Sequence, residues 1–258
     1  MSLWIDSLTV DSLTPDHFKV QISGAWNAGS HPNGGYLAAL ALKAMAAVSP
    51  FPDAITSSSF FLSAAVVGEA DIYVKELRVG RTTASYSADI VQGKLKTRVT
   101  ATFADLGNSP VGVQYAAQRA PEIKPVSQCT HVPDILENGT SLNINKNVDM
   151  LIDEGSNVQK SQMAQTAWWR FSDGTEPDGF SAVLAVDSFL PVIFNLGLGK
   201  WCPTLELTTH LRGIPAPGWL RVRRETNLLN FGYFEEDASV WDSNDVLVMQ
   251  SRQLARLG

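Results

Sequence analysis

Apolar positions along this chain fall into two blocks of the same design, each a helix-length apolar run followed by shorter alternating segments. In the first block, residues 36–48 carry a single charge, Lys43, and include the small side chains Ala38, Ala39, Ala41 and Ala44. A run that is apolar on every side predicts a helix buried all round, and small side chains let a neighbouring layer approach closely. Segments 59–67, 72–79, 83–92 and 95–104 follow; they are rich in β-branched and aromatic residues and read as strands between glycine or charged turns. In the last of them Leu95, Thr97, Val99, Ala101 and Phe103 alternate with Lys96, Arg98, Thr100 and Thr102, the period of a strand with one wet face.

The second block repeats the order. Residues 179–191 form another apolar run, and strand-like segments follow at 204–211, 219–226, 232–241 and 246–254. They lie roughly 150 residues after their counterparts, and two copies speak for duplication rather than a solenoid. The halves span 1–115 and 162–258. Between them 116–161, rich in Pro, Asn, Ser and Asp, reads as a linker leading into the first strand of the second copy. One buried helix followed by a long antiparallel sheet predicts an α+β hotdog, a curved sheet wrapped around a central helix, and two copies predict a double hotdog. An ordinary α+β domain with a core helix is the alternative, but it leaves the repeat unexplained.

One residue breaks the second apolar run. Aligning Gly34–Gly35–Tyr36 with the later run places Asp187 where the first copy has Lys43. Burying a lone carboxylate costs several kcal/mol unless a partner satisfies it. Asp187 is therefore either a group kept for chemistry or a carboxylate tied down by backbone donors or a salt bridge.

Composition narrows the classes. With 258 residues, 45% hydrophobic and 18% charged, the chain is globular and large enough for a sizeable core. A net charge of −6, with no Lys or Arg run beyond Arg221–Arg224, argues against a nucleic-acid partner. The N-terminus lacks the basic start and apolar core of a signal peptide, and no apolar stretch is expected to reach the roughly 18 residues of a membrane span. A cytoplasmic location follows. There Cys129 and Cys202 are expected as unbridged thiols, and the sequon at Asn138–Gly139–Thr140 would go unused. The histidines and cysteines show no metal-ligand spacing, and Gly-rich phosphate loops are absent, so no metal or organic cofactor is expected.

Motifs in both halves resemble the acyl-CoA thioesterase II family, the double-hotdog thioesterases. In the first half they are Asn33–Gly34–Gly35, Ser58–Ser59–Phe60–Phe61–Leu62 and Leu77–Arg78–Val79–Gly80–Arg81. In the second they are Asp187–Ser188–Phe189–Leu190–Pro191, Thr204–Leu205–Glu206–Leu207, and Val246–Leu247–Val248 leading to Gln253. The resemblance implies hydrolysis of acyl-CoA thioesters by a water held by an Asp, a Thr and a Gln, which by position are Asp187, Thr204 and Gln253. It departs at Glu206–Leu207–Thr208, where the family more often has Asp followed by His. It also favours a homo-oligomer of double-hotdog protomers, to which exposed sheet edges would contribute.

A carboxylate in a dry pocket suits Asp187 for general-base work, because desolvation raises its proton affinity. Gln253 shares a strand face with Met249 and would orient the water or bond adjacent loops. Thr204 falls on the wrong face by simple alternation, unless the strand end after Pro203 breaks the period. Gly179 lies eight positions from Asp187, roughly 12 Å along a helix, too far to supply oxyanion donors. The N–H groups near Gly34, Gly35 and Tyr36 would do so if the two helices pack antiparallel; otherwise the glycines only make a tight helix start. His31 would act with Asp187 in a rival hydratase or dehydratase, or is a loop histidine. A non-catalytic acyl-thioester binder is the other rival. Arg221, Arg223 and Arg224 either meet CoA phosphates or form the charged face of an exposed strand.

Overall fold

The computed structural model describes residues 2–108, 115–136, 139–153, 163–197 and 201–258. Asn138 of the sequon and residues 154–161 of the expected linker lie outside the described residues. The first half runs α1 (Leu3–Ser7), β1 (Asp11–Thr14), β2 (His17–Ile22), the short β3 (Asn27–Ala28) and β4 (His31–Pro32), and α2 (Gly34–Ala46). It continues with β5 (Asp53–Phe61), β6 (Gly68–Val79), β7 (Ala84–Gln92) and β8 (Lys94–Ala104). The second half runs β9 (Thr130–His131), β10 (Val148–Ile152), β11 (Ala164–Phe171), α3 (Gly179–Asp187) and β12 (Thr204–Leu211). It ends with β13 (Leu220–Glu225), β14 (Leu229–Asn230), β15 (Tyr233–Trp241) and β16 (Leu247–Arg256).

Antiparallel pairing joins these strands into one sheet with a pseudo-twofold seam, except β3 and β4, which pair with each other in a separate small sheet. From the seam outward the first half reads β5-β8-β7-β6-β2-β1 and the second β12-β16-β15-β13-β11-β10, the same order of corresponding strands. The fold is a double hotdog. β10 occupies the place of β1, so part of the expected linker is built into the second sheet rather than spanning between halves.

The seam explains where the sequence pattern misplaced a strand. β5 begins at Asp53, six residues before the alternation suggests, because its inner face is polar: Ser57 and Ser59 are buried there. The Ser57 and Thr209 hydroxyls meet across the seam at 2.7 Å, and Ser58 Oγ donates to Glu206 Oε1 at 2.6 Å. Buried hydroxyls that satisfy one another can replace apolar pairs in a core strand.

Each helix starts on a side-chain cap. Asn33 accepts from the Tyr36 N–H at 3.0 Å, and Asp178 with Ser181 forms a capping box. Residues 38–41 of α2 and 184–185 of α3 are fully buried, so the sheets close over both helices. The two pack antiparallel, with the first turn of α2 against the last turn of α3.

Residues 179–196 correct one expectation. They make an 18-residue segment long and apolar enough to span a membrane. Here it is folded differently: α3 ends at Asp187, Pro191 separates it from a short 3-10 turn over Val192–Leu196, and α3 is buried against α2 and the sheet. Proline carries no N–H to continue a helix. Among the described residues Cys129 and Cys202 form no disulfide.

The helix contact depends on absent side chains. A Cβ on Gly35 would lie 2.7 Å from the Val183 carbonyl oxygen and 3.0 Å from Asp187 Cβ, and backbone cannot swing aside as a side chain can. Gly35→Ala should destabilise the protein by about 1–3 kcal/mol, measured by denaturant titration, because α2 must move away from α3.

Candidate active site

Asp187 is the last residue of α3, not an interior one, and this position sets its electrostatics. A helix C-terminus carries partial negative charge and disfavours a carboxylate. The N-terminus of α2 supplies the compensation. The Gly35 N–H donates to Asp187 Oδ2 at 2.7 Å, and Asn33 Nδ2 donates to the Asp187 carbonyl oxygen at 2.7 Å. Asn33 thus caps α2 through its oxygen and anchors α3 through its nitrogen. No Lys or Arg pairs with Asp187 among the described residues.

Burial pushes the Asp187 carboxyl from 3.8 up to about 7; the negative charge of Glu236 adds to this, while the Gly35, Asn33 and Gly34 donors oppose it. The side chain keeps partial access because it lines a cavity of about 430 Å³ at the junction of the halves. Thr204, Gln253 and His31 line the same cavity, with apolar walls that include Leu37, Phe61 and Phe189.

Thr204 reaches the cavity through a break in register. In β12 the inward residues are Leu207, Thr209 and Leu211, so strict alternation would turn Thr204 outward. The pairing with β16 shifts between Thr204 and Glu206, and Leu205 is exposed. One extra residue on a strand flips everything before it to the other face. Gln253 is buried on the inward face of β16, and its side chain meets Thr204 with Oγ1 to Oε1 at 2.8 Å.

Sequence reading leaves out one buried neighbour, Glu236, and gives another, Arg224, a phosphate-binding or outward place. Glu236 and Arg224 are almost fully buried behind Gln253, at 2% and 1% exposure, with Arg224 Nη1 3.8 Å from Glu236 Oε1. Glu236 also accepts from the Gln253 amide at 3.3 Å and from the Val192 N–H at 2.7 Å. The signal was present: Phe234, Ala238 and Val240 alternate with Glu236 in phase, as Leu220 and Val222 do with Arg224. Arg224 therefore points into the core and is not a charge of an outward face. Arg221 pairs with Asp245 at 3.0 Å and Arg223 with Glu225 at 3.0 Å.

The expected oxyanion donors need correction. The Gly35 N–H is given to Asp187 and the Tyr36 N–H to the Asn33 cap, so these two groups hold the carboxylate and the helix start. Gly34 lines the cavity beside them. His31 sits in the cavity with Nδ1 3.2 Å from the Ala65 carbonyl oxygen; a carbonyl only accepts, so that nitrogen carries the hydrogen. Among the described residues no group of three or more His, Cys, Asp or Glu is placed to hold a metal ion.

Comparison with known proteins adds a family. Residues 22–104 match the acyl-CoA thioesterase N-terminal domain and 126–257 the acyl-CoA thioesterase C-terminal domain. A candidate thioesterase II from Thermobifida fusca is 30% identical with a TM-score of 0.90, covering 100% of this chain and 98% of that one. A hotdog-fold protein of unknown function from Alicyclobacillus acidocaldarius is 19% identical with a TM-score of 0.86, over 100% of this chain and 98% of that one. An acyl-CoA thioesterase II from Mycobacterium marinum is 15% identical with a TM-score of 0.75, over 99% and 98% of the two chains; at such identities these two likenesses concern the fold. An uncharacterized protein of Mycobacterium tuberculosis is 40% identical over 87 residues, which is 34% of this chain and 30% of that relative.

The raised Asp187 carboxyl has a consequence for stability. From its usual value of 3.8 up to about 7 the folded protein holds this proton more tightly than the unfolded chain, so stability falls as pH rises across that window. Asp187→Asn keeps an oxygen for the Gly35 N–H and cannot ionise. It should match wild type at pH 4 and exceed it at pH 8 by up to about 4 kcal/mol in denaturant titrations.

Proposed function

This chain belongs to the acyl-CoA thioesterase family, and we propose that it hydrolyses acyl-CoA thioesters to a free acid and CoA by direct attack of a water held by Asp187, Thr204 and Gln253. The observation that carries this reading is the meeting of the three side chains, one from a helix end and two from strands, in one cavity around a carboxylate raised to about 7. A base with that proton affinity is about half ionised at neutral pH and takes a proton readily.

Hydrogen-bond polarity gives each group a part. Oδ2 of Asp187 is engaged by Gly35, which leaves Oδ1 to take a proton from water. Thr204 gives its hydroxyl proton to Gln253 Oε1, so its oxygen is left to accept the second water hydrogen. Water held through both hydrogens directs its lone pair at the thioester carbonyl carbon. The new C–O bond forms as the proton moves to Asp187, the tetrahedral oxyanion collapses, the C–S bond breaks, and the proton leaves with the CoA sulfur. The Gly34 N–H, at the start of α2, also leans on the Asp187 carboxylate; we assign it to the oxyanion once Asp187 has taken the water's proton and accepts less strongly, where the helix dipole favours negative charge. Catalysis is thus carried by the second half, with the first half supplying Asn33, Gly34 and Gly35.

A cytoplasmic, homo-oligomeric protein without a cofactor completes the proposal. Reduced Cys129 and Cys202 suit a reducing compartment, and the exposed Phe60 and Leu254, both beside Glu206 in register, suit burial by a second copy.

Thiol release from a panel of acyl-CoA substrates tests the reading. Asp187→Asn should fold and lose about 10²–10⁴-fold in kcat. Wild-type kcat/KM should rise with pH and level off above about 7, where Asp187 is ionised. Absence of CoA release above background on every chain length would leave a binding protein. His31→Ala should keep hydrolysis within a few-fold; abolished turnover would favour the hydratase reading, which His31 suggests because it shares the cavity with Asp187.

A further inference from the structure

We propose that the buried Glu236–Arg224 pair is a positioning device that fixes the direction of the Gln253 amide and thereby the hydrogen-bond polarity of the whole water site. The inference rests on the reading of Asp187, Thr204 and Gln253 as the water site. Glu236 stands outside the cavity lining and touches it through Gln253, so it acts through another residue.

The geometry leaves one arrangement. Arg224 at 3.8 Å and the Val192 N–H at 2.7 Å favour the ionised form of Glu236 against its burial, and an ionised carboxylate only accepts, so the end of the Gln253 amide 3.3 Å from Glu236 Oε1 is the nitrogen. The amide oxygen must then face Thr204 Oγ1 at 2.8 Å and take its proton. Reversing the amide would make Thr204 the acceptor and turn its proton toward the cavity, where it would compete with the water for the role of donor. Selection of one orientation therefore depends on the charge of Glu236.

That charge is itself held by three neighbours. The Val192 N–H donates to Oε2 at 2.7 Å, Gln253 donates to Oε1, and Arg224 lies 3.8 Å from Oε1. Arg224 is fixed in turn by the Leu190 carbonyl oxygen at 2.6 Å, by Gln165 Oε1, and by the Phe189 ring 4.3 Å below its guanidinium. Leu190 and Phe189 directly follow α3, so the ion pair and the Asp187 end of the helix are one unit. Burial raises Glu236 and lowers Arg224, which marks the pair as costly. A buried pair is weak as a source of stability and is retained where it specifies an arrangement.

Glu236 also adds negative charge near Asp187. The charged and titratable groups around Asp187 are Glu236 on β15, Arg224 on β13 behind it, and His31 and Cys202 on the shared cavity wall. α2 brings Tyr36, whose hydroxyl accepts from the Ser23 N–H and donates to the Ser7 carbonyl oxygen, and Lys43, at its far end over the Phe180 ring at 5.1 Å.

Glu236→Gln tests the idea. A glutamine has one acceptor oxygen for two donors, Val192 and Gln253, so the amide direction is no longer imposed. The expected result is a kcat at least tenfold lower with KM within about threefold of wild type, and an acid limb of the pH–rate profile moved to lower pH, since a negative charge beside Asp187 is gone. A folded Glu236→Gln with wild-type kcat, or with an unmoved acid limb, overturns the proposal. If that variant does not fold, the double variant Arg224→Met with Glu236→Met removes both charges together; it should bind substrate as wild type does and lose the same kcat, and full kcat there overturns the proposal equally. Asp187→Asn run in parallel separates the two levels: an active Asp187→Asn ends the water-site reading, whereas an inactive one beside an unaffected Glu236→Gln ends only this inference.

Discussion

The contact between the first turn of α2 and the last turn of α3 governs this structure. A carboxylate at a helix C-terminus, desolvated and without a cation, is unfavourable on three counts, and one helix N-terminus in direct contact offsets them. The contact requires that Gly34 and Gly35 have no side chains, since a Cβ on either would come within about 3 Å of Asp187 atoms. Asn33 then joins the two helix ends with one side chain, its oxygen capping α2 and its nitrogen holding the Asp187 carbonyl. Glycines, asparagine and aspartate form a single device assembled from residues about 150 positions apart.

The duplication shows what this device costs by showing its counterpart without it. Lys43 stands at the position of α2 that Asp187 holds in α3, and a cation near a helix C-terminus is favoured by the dipole. Lys43 is exposed and over the Phe180 ring, so this junction needs no buried charge. The fold therefore tolerates a relaxed junction, and the strained one is confined to the half that also carries Thr204, Gln253 and the Glu236–Arg224 pair. Polar groups in the second half are linked from Arg224 through Glu236 and Gln253 to Thr204, each satisfying the next.

Much of this was legible in the chain. Period-2 alternation located most strands, the two apolar runs located the helices, and the odd carboxylate in the second run singled out Asp187. Gln253 came from the family resemblance, with strand phase placing it among apolar company. Where the pattern misled, polar residues did apolar work: Ser57 and Ser59 lie inside β5 because Thr209 and its neighbours meet them across the seam, a pairing no local window contains. Glu236 and Arg224 lay in phase with inward residues, yet a strong charge on a strand reads as solvent-facing unless its partner on another strand is known.

Sequence by itself determined the repeated helix-and-sheet plan and the residue types available for chemistry, because periodicity and burial are local properties that each segment carries alone. The tertiary structure decided which groups meet and in what polarity. A register shift turned Thr204 inward, the antiparallel helix packing spent the Gly35 N–H on Asp187 rather than leaving it open to substrate, and a carboxylate on β15 set the direction of an amide on β16. Those outcomes depend on distances of a few ångströms between segments far apart in the chain, and hydrogen-bond partnership at that range is fixed only when the sheets close.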